Sequence, residues 1–523
     1  MLGWQSSRTA VIGIAIAAFV VCCLLPLGYL LVVSLGGLDA PSALLIDARQ
    51  RRLLSNTALL GLGTALLATA IGAPMGFALA RISLPRKALL RLALAAPVLL
   101  PPYIVGLAWT YLGSSTGWLS ALPGRDILSG WTHSLPAAIL VLSLVFYPVS
   151  MLGTEVAMRR IDGRLEEAAL VVARRRRVLR RVTLPLAARG IFAAALLIFV
   201  LSVSEFGVPG LLQVRVYTTE VFTAFAALYD FSRSLVLAAP LLLLCLGVAL
   251  VAGALLGDRL VATRRSTGTR PVLFDEWRRS ATVAAIAILL VSLALPLAVL
   301  VGEALGARSL GAVLSGSGAA MVNSVLLATA GATAVVSVAV WLGYARARTS
   351  RRFGQGVDVL FIVLFAVPST IMGVGLIGLW NRQGAFGALY GTDAMLVLGY
   401  LARFIPITAL ALAASARYVP ASHEEAAAVS GAGWLRTMWR IVLPQMRLGL
   451  AAAWVIAFVL VFGELGVSIL VAPPGEGTLP IRVYTIIANT PSSHVAALAL
   501  LQTAVIFVPL AALGVAVSLR EAR

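Results

Sequence analysis

The stretch Glu424-Glu425-Ala426-Ala427-Ala428-Val429-Ser430-Gly431, followed by Ile441-Val442-Leu443-Pro444, decides the fold, because it is a polar loop between apolar segments and it occurs twice. The earlier copy reads Glu166-Glu167-Ala168-Ala169 and closes with Val182-Thr183-Leu184-Pro185. A Glu pair before alanines favours a short helix, glycine permits a turn, and proline suits a helix's first turn. Each copy is therefore predicted to be a helix, a turn and the entry into a membrane helix. We call residues 166–185 and 424–444 the first and second Glu-Ala-Ala loops.

The segments around these loops are those of a membrane protein. Of the 523 residues, 60% are hydrophobic and only 12% are charged, whereas the apolar share of an ordinary soluble protein is about one half. A helix of 18 or more apolar residues is long enough to cross the hydrocarbon core of a bilayer. The sequence predicts an all-α polytopic membrane protein of about twelve transmembrane helices, at 11–35, 55–80, 92–113, 135–157, 190–212, 235–257, 281–301, 321–345, 357–379, 394–416, 449–472 and 495–518.

The basic residues indicate the orientation of these helices. A net charge of +20 would suggest a nucleic-acid partner in a soluble protein, but here the arginines concentrate in alternate loops, as the positive-inside rule requires. Both termini and both Glu-Ala-Ala loops are then predicted to be cytoplasmic. The first outer loop, with Arg49, Arg51 and Arg52, is the exception. The apolar run after Arg8 has no convincing cleavage site and predicts an uncleaved first helix.

Residues that hold metals or nucleotides are scarce. Cys22, Cys23 and Cys245 lie in apolar spans and suggest packing, and three scattered histidines exclude a His-rich metal centre. The single lysine, Lys87, is not preceded by the glycines of a phosphate-binding loop. We therefore expect this chain to bind no metal or other cofactor and to contain no ATPase.

An internal repeat organises the chain. Glu167 and Glu425 are 258 positions apart, whereas Pro185 and Pro444, like Glu205 and Glu464, are 259 apart. Earlier landmarks also recur, since Asn56-Thr57 and Asn323-Ser324 begin spans that end at Arg81 and Arg348. Six helices per half is an even number, so the two repeats are parallel. The predicted divisions are a first half at 1–257, a cytoplasmic linker at 258–280 and a second half at 281–523.

The two loops resemble the signature of ABC-importer permeases, which is Glu-Ala-Ala, three residues, Gly, nine residues and Ile-x-Leu-Pro. The second loop fits throughout, whereas the first has Ala173 for Gly, then Arg174 to Arg177, and one residue fewer. The arginine run suits either an acidic ATPase surface or lipid phosphates, or it is a positive-inside signal alone. The resemblance implies the type I ABC-importer permease fold. It also implies coupling helices that dock on ATPase subunits, carried by Glu166, Glu167, Ala168, Ala169, Ala173, Leu184, Pro185, Glu424, Glu425, Ala426, Ala427, Gly431, Leu443 and Pro444.

Two fused halves are typical of ferric-iron-type and thiamine-type permeases. Local strings resemble the iron-type group, among them 101–109, 400–406 and 473–484. The resemblance implies two copies of an ATP-binding subunit, which use ATP and Mg, and an extracytoplasmic solute-binding protein. It places the chain in the bacterial inner membrane, with ferric iron as the first choice of cargo and thiamine, phosphonate or polyamine as others.

Three ionisable residues within the spans are candidates for the transport pathway, because charge in hydrocarbon is costly. Glu205 and Glu464 each lie about twenty residues after a Leu-Pro pair and next to glycine. They either line the pathway or are inter-helix carboxylates satisfied by backbone, Ser or Arg403. Arg403, which corresponds to Val145 in the first half, is placed to pair with a glutamate or to contact the docked binding protein.

Two other classes of protein share some of these sequence features. An ion- or proton-coupled secondary transporter is permitted by the repeat, but it has no need of the paired Glu-Ala-Ala loops. A membrane-embedded enzyme would need convergent His, Asp, Cys or Lys residues, which the sequence does not suggest.

Overall fold

The computed structural model describes residues 2–36, 47–114, 130–228, 230–256, 274–306, 310–384, 387–475 and 477–521. Within these ranges every regular element is a helix, which confirms the predicted all-α class. The helices of the first half are α1 Leu2–Phe19, α2 Leu25–Gly36, α3 Ala48–Arg81, α4 Lys87–Ala95, α5 Pro102–Leu112, α6 Leu135–Arg159, α7 Gly163–Val172, α8 Arg175–Val178, α9 Leu184–Ser204, α10 Gly207–Leu211, α11 Tyr217–Phe222 and α12 Phe231–Leu256.

The second half repeats this order of elements. Its helices are α13 Arg278–Leu289, α14 Leu295–Leu305, α15 Leu310–Ala347, α16 Arg351–Ala366, α17 Ser369–Trp380, α18 Asp393–Arg417, α19 Ala421–Val429, α20 Trp434–Thr437, α21 Leu443–Gln445, α22 Arg447–Phe462, α23 Ser468–Val471, α24 Leu479–Ile486 and α25 Ser492–Glu521. Short 3₁₀ helices occupy Ala96–Leu99 and Asp275–Trp277.

The twelve predicted spans are all occupied by helix, but not all are single straight helices. In the described part of the chain eight helices are long and apolar enough to cross a membrane, three further spans are bent pairs, and Val236–Val248 is a shorter apolar helix. The predicted spans 92–113 and 357–379 are each two helices, bent by 85° and 91°. In the predicted spans 190–212 and 449–472, the long helix ends earlier than predicted, at Ser204 and Phe462 respectively.

Four Leu-Pro pairs follow π-helical turns at matching places in the two halves. The π segments are Val20–Leu24, Leu179–Thr183, Leu290–Ala294 and Met438–Val442. Proline lacks an N–H and its ring crowds the carbonyl four residues earlier, so a wider turn lets the helix continue past it. Leu184-Pro185 therefore lies inside the continuous helix Arg175–Ser204. In the first loop the predicted helix start is therefore a change from π to α geometry inside one continuous helix.

Small residues bring α3 and α6 into close contact. A Cβ atom on Gly72 or Gly76 would lie 2.3 Å from the carbonyl oxygen of Tyr147 or Met151, respectively. Gly343 of α15 has the same relation to Ala409 of α18, at 2.8 Å. In a membrane, such backbone approach replaces the hydrophobic effect as the source of helix association.

The halves are interlocked by their first helices. α1 packs on α15 and α20, and α2 packs on α17, all in the second half. In return α13 contacts α4, and α14 contacts α5. The largest cluster of buried apolar side chains accordingly draws residues from both halves, from Ala15 to Ile506.

Thr57 and Ser324, in the repeated Asn-Thr and Asn-Ser pairs, each accept a hydrogen bond from the start of a short helix. Both contacts lie at the ends of the spans opposite the Glu-Ala-Ala loops. Thr57 Oγ1 accepts a hydrogen bond from the N–H of Tyr217, the first residue of α11, at 3.0 Å. Ser324 Oγ accepts one from the N–H of Leu479, the first residue of α24. The repeated hydroxyl thus satisfies an otherwise unpaired backbone donor at a helix start.

The end of the predicted linker is attached to the first half. Residues 258–273 lie outside the described ranges. The N–H of Phe274 donates to the carbonyl of Arg81 at 2.9 Å, and Asp275 Oδ1 accepts from the N–H and the hydroxyl of Ser83 at 2.9 and 2.6 Å. The domain boundaries themselves remain a prediction.

Candidate functional site

The first glutamate of each Glu-Ala-Ala loop is tied to the arginine that ends a long span. Arg81 Nη1 and Glu166 Oε2 are 3.0 Å apart, and both side chains are buried. Arg348 and Glu424 form the matching ion pair, with 2.9 Å between Nε and Oε1. These arginines were identified only as repeat landmarks in the sequence. The structure makes them the anchors of the two loop helices, α7 and α19.

The remaining anchor differs between the two loops. In the first, Thr183 Oγ1 donates to Glu166 Oε1 at 2.7 Å, so α7 is tied to the segment that enters α9. In the second, the hydroxyl of Tyr344 donates to Glu424 Oε2 at 2.6 Å. Tyr344 also packs against the fully buried ring of Trp434. The second loop is thus held by an aromatic cluster.

The turn after the loop helix also differs. Gly431 has φ +76°, and its N–H and that of Ala432 donate to the carbonyls of Ala428 and Ala427 at 3.0 Å each. These bonds form a Schellman turn, in which a left-handed residue closes the helix. In the first loop Ala173 is extended, with φ −143° and ψ 149°. Alanine avoids the left-handed region, so the chain leaves α7 directly, which fits a loop one residue shorter.

The second glutamates and several apolar residues of the loops face outward. Glu167 and Glu425 are exposed, as are Ala168 and Ala426, whereas Ala427 is buried. Val171, Val172 and Val429 are 85%, 83% and 90% exposed. Neighbouring exposed apolar residues such as Val171 and Val172 are compatible with a surface that another protein covers. These valines were not predicted as functional residues, although a valine among alanines and charges is a visible signal.

The arginines after α7 extend this outward face in the first half. Arg174, Arg175, Arg176 and Arg177 are all exposed. Arg175 forms an ion pair with Glu276, with 3.7 Å between Nη1 and Oε2. In the second half, the buried Trp434 stands where the first half has Arg175. The first loop therefore presents a strongly basic surface that the second lacks.

A second candidate region lies between the halves, where four helix breaks surround a cavity of about 170 Å³. Two breaks precede Pro101-Pro102 and Pro368, and two follow Ser204 and Phe462. Irregular backbone at membrane depth occurs only where protein buries it or where it lines a cavity, and such breaks mark solute sites in many transporters. The two breaks at proline were not predicted, although Pro101-Pro102 and Pro368 are a visible signal for them.

All three predicted pathway residues, Glu205, Glu464 and Arg403, line this cavity. Both glutamates also hold the breaks. Glu205 accepts from the N–H of Gly207 at 3.0 Å. Glu464 accepts from the N–H groups of Val467 and Ser468 at 3.0 Å and from the Ser468 hydroxyl at 2.9 Å. The carboxylates are therefore satisfied by backbone and serine, and their role in the pathway stays a prediction.

Arg403 does not pair with either glutamate. Its guanidinium donates to the carbonyls of Phe365, at 3.0 Å, and Val367, and it lies over the ring of Phe365. These carbonyls end α16, where no helical N–H can reach them. Arg403 thus caps a broken helix, and Val145 in the first half cannot do so.

Two glycines let the breaks approach one another. A Cβ atom on Gly207 would lie 2.7 Å from Tyr103 Cβ, and one on Gly466 would lie 2.1 Å from Ser369 Oγ. Gly207 and Gly466 follow the two glutamates at the same distance in each half. In each half, the glycine thus lets the break after the glutamate approach the break at proline.

The cavity is closed on the side away from the Glu-Ala-Ala loops. Its walls include Leu201, Ile456 and Leu460, which lie on the loop side of the breaks. Beyond the breaks, Val208 and Val467 are fully buried. Two contacts between the halves reinforce this closure: Tyr103 donates to Gln502 Oε1 at 2.5 Å, and the rings of Phe206 and Tyr484 lie 5.5 Å apart.

No group of three potential metal-binding side chains (His, Cys, Asp or Glu) occurs among the described residues.

Comparison with known proteins finds one family model in both halves of the chain. The family model described as "Binding-protein-dependent transport system inner membrane component" matches twice, at residues 72–263 and 336–520. The Fe(3+)-transport system permease protein FbpB 2 of Haemophilus influenzae is 24% identical over 86% of this chain and 86% of its own.

Other relatives carry different cargo names or match only one half. The ferric transport system permease protein FbpB of Actinobacillus pleuropneumoniae is 22% identical over 78% of this chain and 63% of its own. The molybdenum transport system permease protein ModB of Mycobacterium tuberculosis is 28% identical over 38% of this chain and 77% of its own. A protein of half this length thus matches a single repeat.

Proposed function

The chain belongs to the family of inner membrane components of binding-protein-dependent transport systems, and from this premise we propose how its geometry drives an ATP-dependent importer. As a member of that family it is a membrane permease subunit with two fused halves. In the proposal, α7 and α19 are coupling helices, and each docks on one of two copies of a separate ATP-binding subunit.

The observation that carries the proposal is the anchoring of α7 and α19. Each helix turns one glutamate inward to an arginine at the end of a long span and leaves the next glutamate exposed. A short helix held by a buried ion pair moves as a rigid body with the span that it is tied to. Movement of the ATPases would therefore reach α3 and α15, which pack on α9 and α22, the helices that end at the central cavity.

The orientation follows from the same docking. ATP-binding subunits are cytoplasmic, so the Glu-Ala-Ala loops face the cytoplasm and, with an even number of spans, both termini do also. The buried residues beyond the breaks and the two contacts between the halves then lie on the outer side of the central cavity. A solute-binding protein would deliver its cargo to the outer face once the contacts between Tyr103 and Gln502 and between Phe206 and Tyr484 have separated.

Ferric iron is the proposed cargo. The support is that two relatives that span most of this chain are named as ferric or Fe(3+) permeases. The acidic pair Glu205 and Glu464 is compatible with a cation. A relative named for molybdenum matches one half only, and thiamine, phosphonate and polyamine are weaker alternatives.

Reconstitution tests the proposal. The chain is placed in proteoliposomes with its co-encoded ATPase and binding protein, and ATP hydrolysis and uptake are measured with and without cargo. We expect both to require ATP and the loaded binding protein. Uptake driven by a proton or sodium gradient without ATP would contradict the proposal and favour a secondary transporter. Binding measurements on the solute-binding protein separately identify the cargo.

A further inference from the structure

A long apolar groove on the outer surface of the first half lies between α3, α9 and α12. Its volume is about 1160 Å³. It is lined by Leu66, Ala70 and Pro74 of α3 and by Arg189, Phe192 and Ala195 of α9. Leu66 and Phe192 are 64% and 46% exposed, as expected of side chains that face lipid.

The second half has the same helices but fills this place with its own side chains. Trp341 stands where the first half has Pro74, and Trp454 stands where it has Ala195. Trp454 Nε1 donates to Thr333 Oγ1 at 3.1 Å and so spans from α22 to α15. The open groove is therefore not a property of the fold. It reflects chiefly Ala195, where the second half has Trp454 across α15 and α22.

The groove has a charge at one end. Arg189 lies within two turns of the start of α9, on the side of the Glu-Ala-Ala loops, and the second half has Leu448 at this position. Arg189 is exposed, and none of the described ion pairs includes it. An occupant must therefore be apolar along its length and anionic at its end. A guanidinium near the membrane surface binds phosphate oxygens through paired N–H groups.

We propose that this groove binds one anionic phospholipid, with an acyl chain along Leu66, Ala70 and Ala195 and the phosphate against Arg189. The lipid would take the place that Trp454 fills in the second half and would hold α3 against α9. Because α3 ends at Arg81 and α9 begins at Leu184, the lipid would stabilise the two spans that carry the first Glu-Ala-Ala loop.

Native mass spectrometry of the full-length chain tests the proposal. The protein is equilibrated in detergent with equal amounts of phosphatidylglycerol and phosphatidylcholine, and the lipids that survive detergent exchange are counted. We expect one phosphatidylglycerol to be retained in preference to phosphatidylcholine. Arg189→Leu, which copies the second half, is expected to lower this occupancy about fivefold, the effect of one basic residue near an anionic surface. Arg189→Lys should retain most of it.

Filling the groove gives an independent readout. Ala195→Trp, which also copies the second half, is expected to displace the lipid regardless of its headgroup. Arg189→Glu replaces an exposed residue, should not disturb folding, and is expected to abolish the preference for phosphatidylglycerol. Arg440→Leu, an exposed arginine of the second half that is not on the groove, is the matched control and should leave occupancy unchanged. Equal retention of both lipids by the wild type, or unchanged retention in Arg189→Glu, would overturn the proposal.

Discussion

Arg81 Nη1 and Glu166 Oε2 lie 3.0 Å apart, and each of the two side chains is only 2% exposed. The matching pair, Arg348 and Glu424, is 15% and 12% exposed. The same connection between a span and a loop helix is thus made in both halves, but in the first it is fully withdrawn from water.

The first prediction concerns this difference in burial. Removing one partner of a buried ion pair leaves an uncompensated charge and costs about 3–5 kcal/mol. We expect Arg81→Met to lower the thermal stability of the purified chain more than Arg348→Met does. The double variant Arg81→Met with Glu166→Met should recover part of the loss, because it leaves no buried charge. If the double variant is as unstable as the sum of the single variants, the ion pair is not the anchor.

The second prediction concerns the turn at Gly431. A non-glycine residue in the left-handed region costs about 1–2 kcal/mol, so Gly431→Ala should unwind or redirect the end of α19. We expect cargo-stimulated ATP hydrolysis to fall while the amount of assembled chain in the membrane stays the same. The matched change Ala173→Gly should have little effect, since Ala173 is extended and needs no glycine. Equal effects of the two changes would contradict this account of the asymmetry.

The third prediction separates the two glutamates of each loop. Glu425 and Glu167 are exposed, so Glu425→Arg and Glu167→Arg should leave folding intact. Each is expected to weaken ATPase binding or to uncouple ATP hydrolysis from transport in proteoliposomes. Transport at the wild-type rate would remove that glutamate from the docking surface. Glu424→Arg is the contrasting variant, because it places a second cation beside Arg348 and should reduce the yield of folded protein.

The fourth prediction uses the unequal hydrogen bonding of Glu205 and Glu464. Glu464 accepts bonds from two backbone N–H groups and one hydroxyl, whereas Glu205 accepts from Gly207. Loss of an acceptor from a buried donor costs about 1–3 kcal/mol, so Glu464→Ala should destabilise the chain more than Glu205→Ala.

Transport assays on the amide variants then test the pathway role of the two glutamates. Glu205→Gln and Glu464→Gln retain acceptors and remove charge. If both variants fold and transport normally, the carboxylates are structural only. A loss of transport with normal stability would instead support their place in the pathway.

The sequence was sufficient for the class of protein, the approximate number of spans and the repeat. Hydropathy alone fixes where helices must lie, because a backbone in hydrocarbon has no other way to satisfy its polar groups. The two Glu-Ala-Ala loops and the spacing of Arg81, Pro185 and Glu205 from Arg348, Pro444 and Glu464 then indicated duplication and the family. The same spacing showed that the first loop is irregular.

The tertiary structure decided which of these landmarks touch. Arg81 and Glu166 are 85 positions apart, and no local pattern shows that the end of one span meets the start of a loop helix. Hydropathy likewise could not separate a straight span from the bent pairs at Pro101 and Pro368, since both halves of each pair are apolar. Arg403 was predicted to pair with a glutamate or to contact the docked binding protein. The structure shows no pairing with Glu205 or Glu464, because the guanidinium donates to the carbonyls of Phe365 and Val367. Sequence determines what must be buried, whereas the partners of a buried charge depend on which backbone groups the packing has left unpaired.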